Sequence, residues 1–311
     1  MKLQLLDILI CPACLPHEVR LSPRITTQQG NDILCGSLHC PQCGAVYPVE
    51  DGIAAFIPHV GVECMHNRYE TAPLVSAYLW SHYADLLGDP EAGPAYREWS
   101  GLIREHPGLA LDAGCAVGRL TFEMAAKGDF AIGIDNSRAF IQTARTLMTH
   151  GRLSFQVPQE GVLQKTLTVY PPPAWKPEQV EFIVGDIQSL PFASRHFSAV
   201  ASLNLIDKVS RPLKHLQEMN RVARAHRAQF LFSDPFSWSE EITPRKHWLG
   251  GTPEGPFRGR GMDNTGSLLT GHGGHLSPAW RIAATGSVWW KIRTHSNHFE
   301  LIRSGYIKAE R

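Results

Sequence analysis

Two acids and two glycines in the first half of the chain have the types and spacing of a cofactor site. Asp112, Gly114 and Gly118 follow an apolar run at residues 109–111 that suits a buried parallel strand. Glycine permits the tight turn and the close ligand approach that such a site needs. A second apolar run ends at Asp135, about twenty positions further on, where a carboxylate suits the two hydroxyls of a ribose. The spacing predicts a strand, a glycine-bearing turn, a helix and a strand that bind a nucleotide-like cofactor.

The acid before the glycines separates two cofactor classes. A dinucleotide site prefers Gly-x-Gly-x-x-Gly, in which the second glycine lets a pyrophosphate approach the N-terminus of the following helix. In this chain Asp112 stands before the loop, and a carboxylate there repels phosphate and attracts a cation. S-adenosylmethionine carries an ammonium and a sulfonium group but no phosphate, so the loop favours it. A turn whose glycines serve packing alone is the alternative.

The spacing Asp-x-Gly-x-x-x-Gly resembles the first motif of class I methyltransferases. The resemblance implies that this loop and the acidic turn after the second strand bind S-adenosylmethionine. We therefore expect cofactor contacts from Asp112, Gly114, Cys115, Gly118, Asp135 and Asn136.

Residues 180–184, which are apolar except at Glu181, predict a third strand that is followed by Asp186 and Ile187. In methyltransferases an acid at this place accepts the exocyclic amine of adenine, and the next residue borders the ring. The resemblance thus adds Asp186 and Ile187 to the expected cofactor contacts, although a simple Gly-Asp turn is the alternative.

A fourth strand is predicted at residues 197–205, ending at Asn204, with a helix from Pro212 through Val222 after it. Ligands of parallel sheets lie beyond the carboxyl ends of the strands. We therefore expect Asn204, Leu205 and Asp207 to face the transferred methyl group. A fifth strand is predicted at residues 230–232.

Five of the seven cysteines lie within the first 43 residues. Cys11 and Cys14 form one Cys-x-x-Cys pair, and Cys40 and Cys43 form another, so the two turns can direct four thiolates at one Zn²⁺ ion. Because sulfur would fill all four positions, such a site is structural rather than catalytic. A site that has lost its metal and a redox pair are the alternatives. Cys35 is a poorer candidate ligand because it falls outside the paired Cys-x-x-Cys spacing.

The sequence around these cysteines resembles a family of small zinc-ribbon-like proteins. The resemblance is carried by the two Cys-Pro-x-Cys pairs and by the Tyr-Pro-Val-x-Asp-Gly-Ile that follows at residues 47–53. Some members of that family are separate activating partners of RNA- and protein-modifying methyltransferases, and in many bacterial proteins a similar segment is fused ahead of a methyltransferase. The resemblance implies a folding or docking module.

Residues 71–83 have a helical pattern that places Leu74, Ala77 and Tyr78 on one face. Aromatic and histidine side chains at Tyr78, His82 and Tyr83 are predicted to cap an active site, with simple packing as the alternative.

Other segments complete the predicted sheet domain. A helix is predicted at residues 138–148, with Phe140, Ile141, Ala144 and Leu147 on its apolar side. Residues 156–179 are predicted to be a proline-rich insertion without a compact element. The last, antiparallel strands are predicted at residues 288–293 and 299–302.

A longer resemblance points to a particular acceptor. Trp238-x-x-Glu241-x-Thr-Pro-Arg245, followed by Trp-Leu-Gly-Gly at residues 248–251, is similar to a segment of the 4-mercaptohistidine N1-methyltransferases, which resemble the C-terminal domain of the ovothiol-biosynthesis enzyme. Further stretches agree in order at residues 78–83, 112–119, 133–140 and 292–295. The resemblance implies methylation of an imidazole nitrogen on a thiol-bearing histidine or a related small amino acid.

The same resemblance suggests roles for several side chains. Tyr78 or Trp238 would favour the cationic sulfonium or imidazolium through its ring. An acid would hold the ammonium or ring N–H of the substrate, and an arginine would hold its carboxylate; the candidates are Glu240, Glu241, Arg245 and Arg293. Ordinary loop or surface ion pairs are the alternative for each. The candidate catalytic residues are Tyr78, Asn204, Trp238 and Glu241.

Composition sets broad limits. The 311 residues are 43% hydrophobic and 19% charged, with a formal net charge of +1, which is ordinary for a soluble protein. Lys and Arg are scattered, so electrostatics does not indicate a nucleic-acid partner. No apolar run approaches the roughly twenty residues of a membrane span, and Asp7 comes too early for a secretory signal. We expect a cytoplasmic protein with no membrane partner.

The sequence therefore predicts an α/β protein in which a Rossmann-like seven-stranded methyltransferase sheet is preceded by a small zinc-ribbon domain. The predicted parts are the zinc unit (residues 1–60), a helical linker and cap (61–107) and the methyltransferase domain (108–311). The expected activity is S-adenosylmethionine-dependent N-methylation of a small imidazole-containing, amino-acid-like substrate. The alternatives are an RNA or protein methyltransferase that docks through the zinc unit, which also offers a surface for self-association, and a non-catalytic scaffold that binds the cofactor.

Overall fold

A four-stranded antiparallel sheet forms the N-terminal part of the fold. The computed structural model describes residues 1–57 and 68–311. The first sheet contains β1 (Ser22–Gln29), β2 (Asp32–His39), β3 (Val46–Glu50) and β4 (Ile53–Ala54). The two Cys-x-x-Cys turns precede β1 and follow β2, so the antiparallel pair β1–β2 lies between them. The predicted boundary at residues 60 and 61 lies outside the described residues, as does Cys64.

The remaining elements belong to the larger, C-terminal part. The strands are β5 (Leu109–Ala113), β6 (Phe130–Asp135), β7 (Leu153–Glu160), β8 (Leu163–Val169), β9 (Val180–Val184), β10 (Phe197–Leu203), β11 (Gln229–Asp234), β12 (Arg281–His295) and β13 (His298–Glu310). The α-helices are α1 (Ala72–Tyr83), α2 (Ala95–Leu102), α3 (Arg119–Ala125), α4 (Arg138–His150), α5 (Pro212–Val222) and α6 (Gly261–Leu269).

Seven strands form one sheet in the order β12-β13-β11-β10-β5-β6-β9. The five strands from β11 to β9 pair in parallel, and β13 is antiparallel to both of its neighbours. The chain runs from β5 outward through β6 to β9, then returns to β10 on the other side of β5. Such a switch in direction opens a crevice at the carboxyl ends of the two central strands. The predicted Rossmann-like seven-stranded sheet is confirmed.

The N-terminal sheet packs directly against the seven-stranded one. After β4, Ala55 forms a parallel bridge to Val184, and the backbone N–H of Phe56 donates to the Val184 carbonyl at 2.8 Å. Nearby, the Ile10 N–H donates to the Pro191 carbonyl at 2.9 Å. Phe56 shares one hydrophobic core with Ile183 and other residues of the larger domain. The two parts are therefore joined along the β9 edge by both backbone pairing and apolar packing.

A buried carboxylate lies at the same junction. Glu181 on β9 is fully buried and accepts hydrogen bonds from the Arg145 guanidinium of α4 and from the backbone N–H of Lys2, the latter at 2.6 Å. Since a buried carboxylate needs partners on every side, Glu181 ties the N-terminal segment to the larger domain.

The predicted absence of structure in residues 156–179 is wrong. β7 and β8 form an antiparallel hairpin that turns at Gly161, whose φ is +58°. Phe155 and Val157 are buried while their neighbours Ser154 and Gln156 are exposed. This alternation with a period of two is the strand signal that the proline content obscured.

Helix α1, predicted at residues 71–83, buries a different set of residues from the one that periodicity singled out. The buried residues of the helix are Ser76, Leu79, Trp80, His82 and Tyr83. The predicted face, which included Leu74, Ala77 and Tyr78, is half-buried. Because α1 carries apolar residues on several sides, periodicity alone does not select the side that meets the sheet.

The C-terminal strands are longer than predicted. β12 and β13 span residues 281–310 almost continuously, whereas the apolar runs marked only their middle parts, and α6 had no clear signal. Among the described residues, no helix is both long enough and apolar enough to cross a bilayer.

Candidate active site and metal centre

A cavity lies at the carboxyl edge of the seven-stranded sheet. The loops after four strands border it: Gly114 and Ala116 after β5, Asp135 and Asn136 after β6, Asp186 and Ile187 after β9, and Asn204 and Leu205 after β10. Side chains from α1, α2, α4 and β12 form the facing wall: Tyr78, His82, Tyr96, Phe140 and Trp290. Within the described part of the chain, the lining includes no residue before Tyr69. The N-terminal sheet therefore supports the domain from outside the cavity.

The loop after β5 is held close to its neighbours. Gly114 has φ +74°, and its N–H donates to the Ile134 carbonyl at 2.8 Å. A Cβ on Gly114 would lie 2.7 Å from the side chain of Leu205, and Ala116 adopts φ +46°. The glycine is therefore needed for its left-handed conformation and for the narrow approach to Leu205.

Asp135 lies directly under this loop. Its Oδ2 accepts from the Ala116 N–H at 3.0 Å and its Oδ1 accepts from the Ser137 N–H at 2.9 Å. Desolvation by the surrounding protein raises the pKa of Asp135 to about 6, although these backbone hydrogen bonds act in the opposite direction. The structure thus places a carboxylate beside the glycine loop, as the sequence predicted, with neighbouring Asn136 exposed.

Three predicted cofactor residues lie beneath the loop and do not line the cavity. Asp112 is buried, and its Oδ2 accepts from the Thr121 hydroxyl at 2.7 Å. Burial raises the pKa of Asp112 to about 7. Cys115 is buried as well, and Gly118 begins α3 against Phe182. None of the three lines the cavity, so their contact with the cofactor stays a prediction.

The polar ends of β9 and β10 meet at the same edge. Asp186 Oδ1 accepts from the Gln188 N–H at 2.8 Å, and Asp186 and Ile187 both border the cavity. Asn204 has φ +53°, and its buried Oδ1 has no hydrogen-bond partner among the described residues. An acceptor left without a partner at the cavity edge is suited to a ligand donor.

Asp207 was predicted near the reacting group but points elsewhere. Its Oδ2 accepts from the Lys208 ammonium at 3.0 Å and from the Ser237 N–H at 2.8 Å. The side chain is fully buried below the cavity edge, between the ends of β10 and β11. Sequence position alone could not show this turn of the chain.

Aromatic side chains form the wall that faces the sheet edge. The ring centroid of Tyr78 lies 4.9 Å from Phe140, 5.8 Å from Trp290 and 5.9 Å from Tyr69. Tyr78 was predicted, whereas Tyr96 and Trp290 were missed as site residues. The alternation of β12 contained a signal for Trp290, because Val288 and Trp290 share the inner face and Trp289 points outward.

The segment that carried the longer resemblance lies outside the cavity. Trp238 stacks on Trp248 with ring centroids 5.8 Å apart, and Glu241 is exposed. Glu240 and Arg245 pair at 3.1 Å on the surface. Arg293 is buried near Asp89, at 3.8 Å, and also lies away from the lining. Trp238 and Glu241 do not line the cavity, so their role at the reacting atoms stays a prediction that the lining does not support.

The four predicted metal ligands come together in the N-terminal part. The Sγ atoms of Cys11, Cys14, Cys40 and Cys43 all lie within 4.8 Å of one another. The Cys11–Cys43 and Cys14–Cys40 sulfur distances are both 3.6 Å. A Zn–S distance of about 2.3 Å in a tetrahedron requires sulfur atoms about 3.8 Å apart, so the donor set fits the ion. Cys35 lies on β2 and is exposed.

Two family models match the chain, one in the larger domain and one in the N-terminal part. A methyltransferase domain family model matches residues 111–226, which run from β5 to just beyond α5. This part of the chain is a methyltransferase domain. The protein is therefore an S-adenosylmethionine-dependent methyltransferase, as the glycine loop predicted. A second family model, Trm112p-like protein, matches residues 2–52 of this methyltransferase. The matched segment contains all four clustered cysteines. The narrower resemblance to the 4-mercaptohistidine methyltransferases stays a prediction.

Solved structures similar to this methyltransferase are distant. A methyltransferase from Methanosarcina mazei is 20% identical, with 68% of this chain and 95% of that chain covered at a TM-score of 0.42. A chain from the complex of the Haloferax volcanii Trm112 activator with a methyltransferase is 12% identical. The match covers 75% of this chain and 96% of that chain at a TM-score of 0.44. Magnesium protoporphyrin IX methyltransferase from Synechocystis PCC 6803, with bound S-adenosylmethionine, is 16% identical. The match covers 80% of this chain and 86% of that chain at a TM-score of 0.39. No curated protein matches the chain.

Proposed function

We propose that this methyltransferase transfers a methyl group to a nitrogen of a small, imidazole-containing, amino-acid-like acceptor in the cavity at the carboxyl edge of the sheet. The observation that carries the proposal is the arrangement of that cavity: strand-end carboxylates on one side and an aromatic wall on the other. The resemblance of residues 238–251 to the 4-mercaptohistidine methyltransferases supports the acceptor class. A confined, ring-lined space suits a flat small molecule better than a polymer.

The residues present fit S-adenosylmethionine. Asp135 would accept from the ribose hydroxyls, Asp186 and the backbone of Ile187 would border the adenine, and Gly114 would let the chain approach closely. The unpartnered Oδ1 of Asn204 would accept from the ammonium group or from the acceptor. When bound, the cofactor supplies an electrophilic methyl group on a sulfonium. Asp112 would act only indirectly, by fixing the loop through Thr121.

The chain's contribution to the transfer is mainly alignment. A neutral imidazole nitrogen is already a nucleophile, so the wall formed by Tyr78, Phe140 and Trp290 needs chiefly to hold the ring in line with the methyl group. The face of Tyr78 would also favour the positive charge that the acceptor ring acquires. Asn204 would orient the reacting partners from the opposite side.

For the four-cysteine cluster, we propose one structural Zn²⁺ ion. Its sulfur-only donor set leaves no position for substrate, and its location outside the cavity supports a folding role. Metal analysis of the purified protein should give about one equivalent of zinc; a metal-free protein that folds normally would contradict the assignment.

A second candidate function is methylation of RNA or protein. It is favoured by the match of residues 2–52 to Trm112p-like proteins, since the resembling family includes activators of such methyltransferases. In this chain, however, the module already packs on the β9 edge of its own methyltransferase domain. The edge that pairs with β9 is thus occupied within the chain, which disfavours docking of a separate partner through that edge.

The deciding experiment is a methyl-transfer assay with 4-mercaptohistidine, histidine and bulk RNA in parallel, using labelled S-adenosylmethionine. We expect transfer to the imidazole compounds and none to RNA. Transfer to RNA alone would replace the proposal by the second candidate. Cofactor binding without transfer to any acceptor would favour a scaffold.

A further inference from the structure

The aromatic wall of the cavity contains two buried ring nitrogens without partners. Nδ1 of His82 on α1 and Nε1 of Trp290 on β12 make no hydrogen bond among the described residues, although both side chains are more than nine-tenths buried. Both rings border the cavity next to Tyr78, with centroids 5.9 Å and 5.8 Å from the Tyr78 ring. Buried polar groups are normally paired, so each of these requires an explanation.

The hydrogen-bond partners assign the state of the His82 ring. Tyr96 and His82 are both buried, and the Tyr96 hydroxyl lies 2.5 Å from His82 Nε2. Burial raises the pKa of Tyr96 well above its ordinary value, so the phenol keeps its proton, and because Nε2 is the one acceptor within reach of that hydroxyl among the described residues, we assign the hydroxyl as the donor. Burial and the nearby Arg119 guanidinium lower the pKa of His82, so the ring is neutral. Its single proton is then on Nδ1, which is a donor.

The indole Nε1 of Trp290 is always a donor. The wall therefore offers two N–H donors that have no acceptor in the described part of the chain. Within residues 1–57 and 68–311, the only Lys or Arg that lines the cavity is Lys208, and its ammonium already pairs with Asp207 at 3.0 Å. A ligand carboxylate thus has few cationic partners here, whereas two oriented, desolvated N–H groups form a suitable anion site.

We infer that His82 Nδ1 and Trp290 Nε1 bind the carboxylate of an amino-acid-type ligand, with Tyr96 as the positioning residue that fixes the His82 tautomer. This inference rests on the proposed function only in placing ligands in this cavity. Two ligands carry such a group: the amino-acid end of the cofactor and an amino-acid methyl acceptor. The shared chemistry is the carboxylate, and the experiment separates the two sources.

Calorimetric titration with paired probes tests the inference. S-adenosylhomocysteine is compared with 5′-methylthioadenosine, which lacks the amino-acid end. Protein saturated with S-adenosylhomocysteine is then titrated with histidine and with histamine, which lacks the carboxylate. Each probe is measured on the wild type, on Trp290→Phe and on the double variant His82→Phe, Tyr96→Phe, which removes the pair without leaving a phenol unpaired. Trp289→Phe, on the outward face of β12, is the matched control.

We expect a loss of about tenfold or more in affinity for the carboxylate-bearing member of one pair and less than about twofold for its partner probe, with the control unchanged. A selective loss for S-adenosylhomocysteine assigns the cofactor carboxylate, and a selective loss for histidine assigns the acceptor. Equal losses within both pairs, no loss in folded variants, or binding of neither member of either pair to the wild type would overturn the inference. If the wild type does not bind S-adenosylhomocysteine while its affinity for histidine still depends on Trp290, the result would instead contradict the proposed function.

Discussion

The four-cysteine cluster and the cavity are two concentrations of polar groups with opposite characters. In the cluster, four sulfur atoms lie within 4.8 Å of one another and leave no open position. In the cavity, Asn204, His82 and Trp290 retain polar atoms without partners, and Asp135 has a raised pKa. A closed donor set stabilises a fold, whereas unpaired, desolvated groups indicate ligand binding. The contrast separates the part of the chain that holds the fold from the part that performs the chemistry.

The largest expected effect comes from breaking the closed site. In a Cys11→Ser, Cys14→Ser variant, zinc should be lost, and the N-terminal sheet should unfold because it is too small to hold itself together without the metal. Since this sheet shares a core with the larger domain, we expect a loss of roughly 5 kcal/mol or more in the free energy of unfolding. Denaturant unfolding with metal analysis measures it. Cys35→Ser, an exposed cysteine outside the cluster, is the control; equal stability of both variants would show that the cluster is not structural.

The junction between the two parts should give the next largest effect. Glu181→Gln keeps the shape of a fully buried side chain but removes the charge that faces Arg145. Leaving one member of a buried ion pair alone typically costs about 3–5 kcal/mol. Urea unfolding should show this loss, with exposed Glu178→Gln as control. A change below about 0.5 kcal/mol would mean that this ion pair does not contribute to the coupling of the two parts.

A smaller effect should appear in the pH dependence of cofactor affinity. The pKa of Asp135 is raised to about 6, so the carboxylate that would accept from the ribose is present above this pH and is lost below it. Affinity for S-adenosylhomocysteine should be constant above about pH 7 and should fall by up to tenfold per pH unit below about pH 6. Titrations between pH 5 and pH 8 with zinc content monitored would check this. An affinity that rises as the pH falls would remove Asp135 from the ribose role.

The sequence was most informative where one local pattern determines the structure. The apolar runs before Asp112 and Asp135 predicted two inner strands of the sheet, because a strand buried on both faces needs continuous apolar residues. The paired Cys-x-x-Cys turns predicted the cluster for a similar reason, since two ligands per turn are set by local geometry.

The facing wall of the cavity was much less predictable. His82 and Trp290 lie more than 200 residues apart in the chain and meet only because α1 packs against β12. No local periodicity encodes that meeting. The same limit explains why Trp238 and Glu241 were expected at the cavity but do not line it. Their distinctive spacing indicated a family but not a position in the fold.

The central claim is that the cavity bordered by the glycine loop, and not the cysteine cluster, binds S-adenosylmethionine. The most direct test is calorimetric titration of the wild type and of Asp135→Asn with S-adenosylmethionine, with NAD in parallel and Glu254→Gln, an exposed loop residue, as control. We predict micromolar-range binding of S-adenosylmethionine and none of NAD by the wild type, and affinity weaker by about 10- to 100-fold in Asp135→Asn, with zinc content and melting temperature unchanged. Preference for NAD, or equal affinity of Asp135→Asn and the wild type, would contradict the claim.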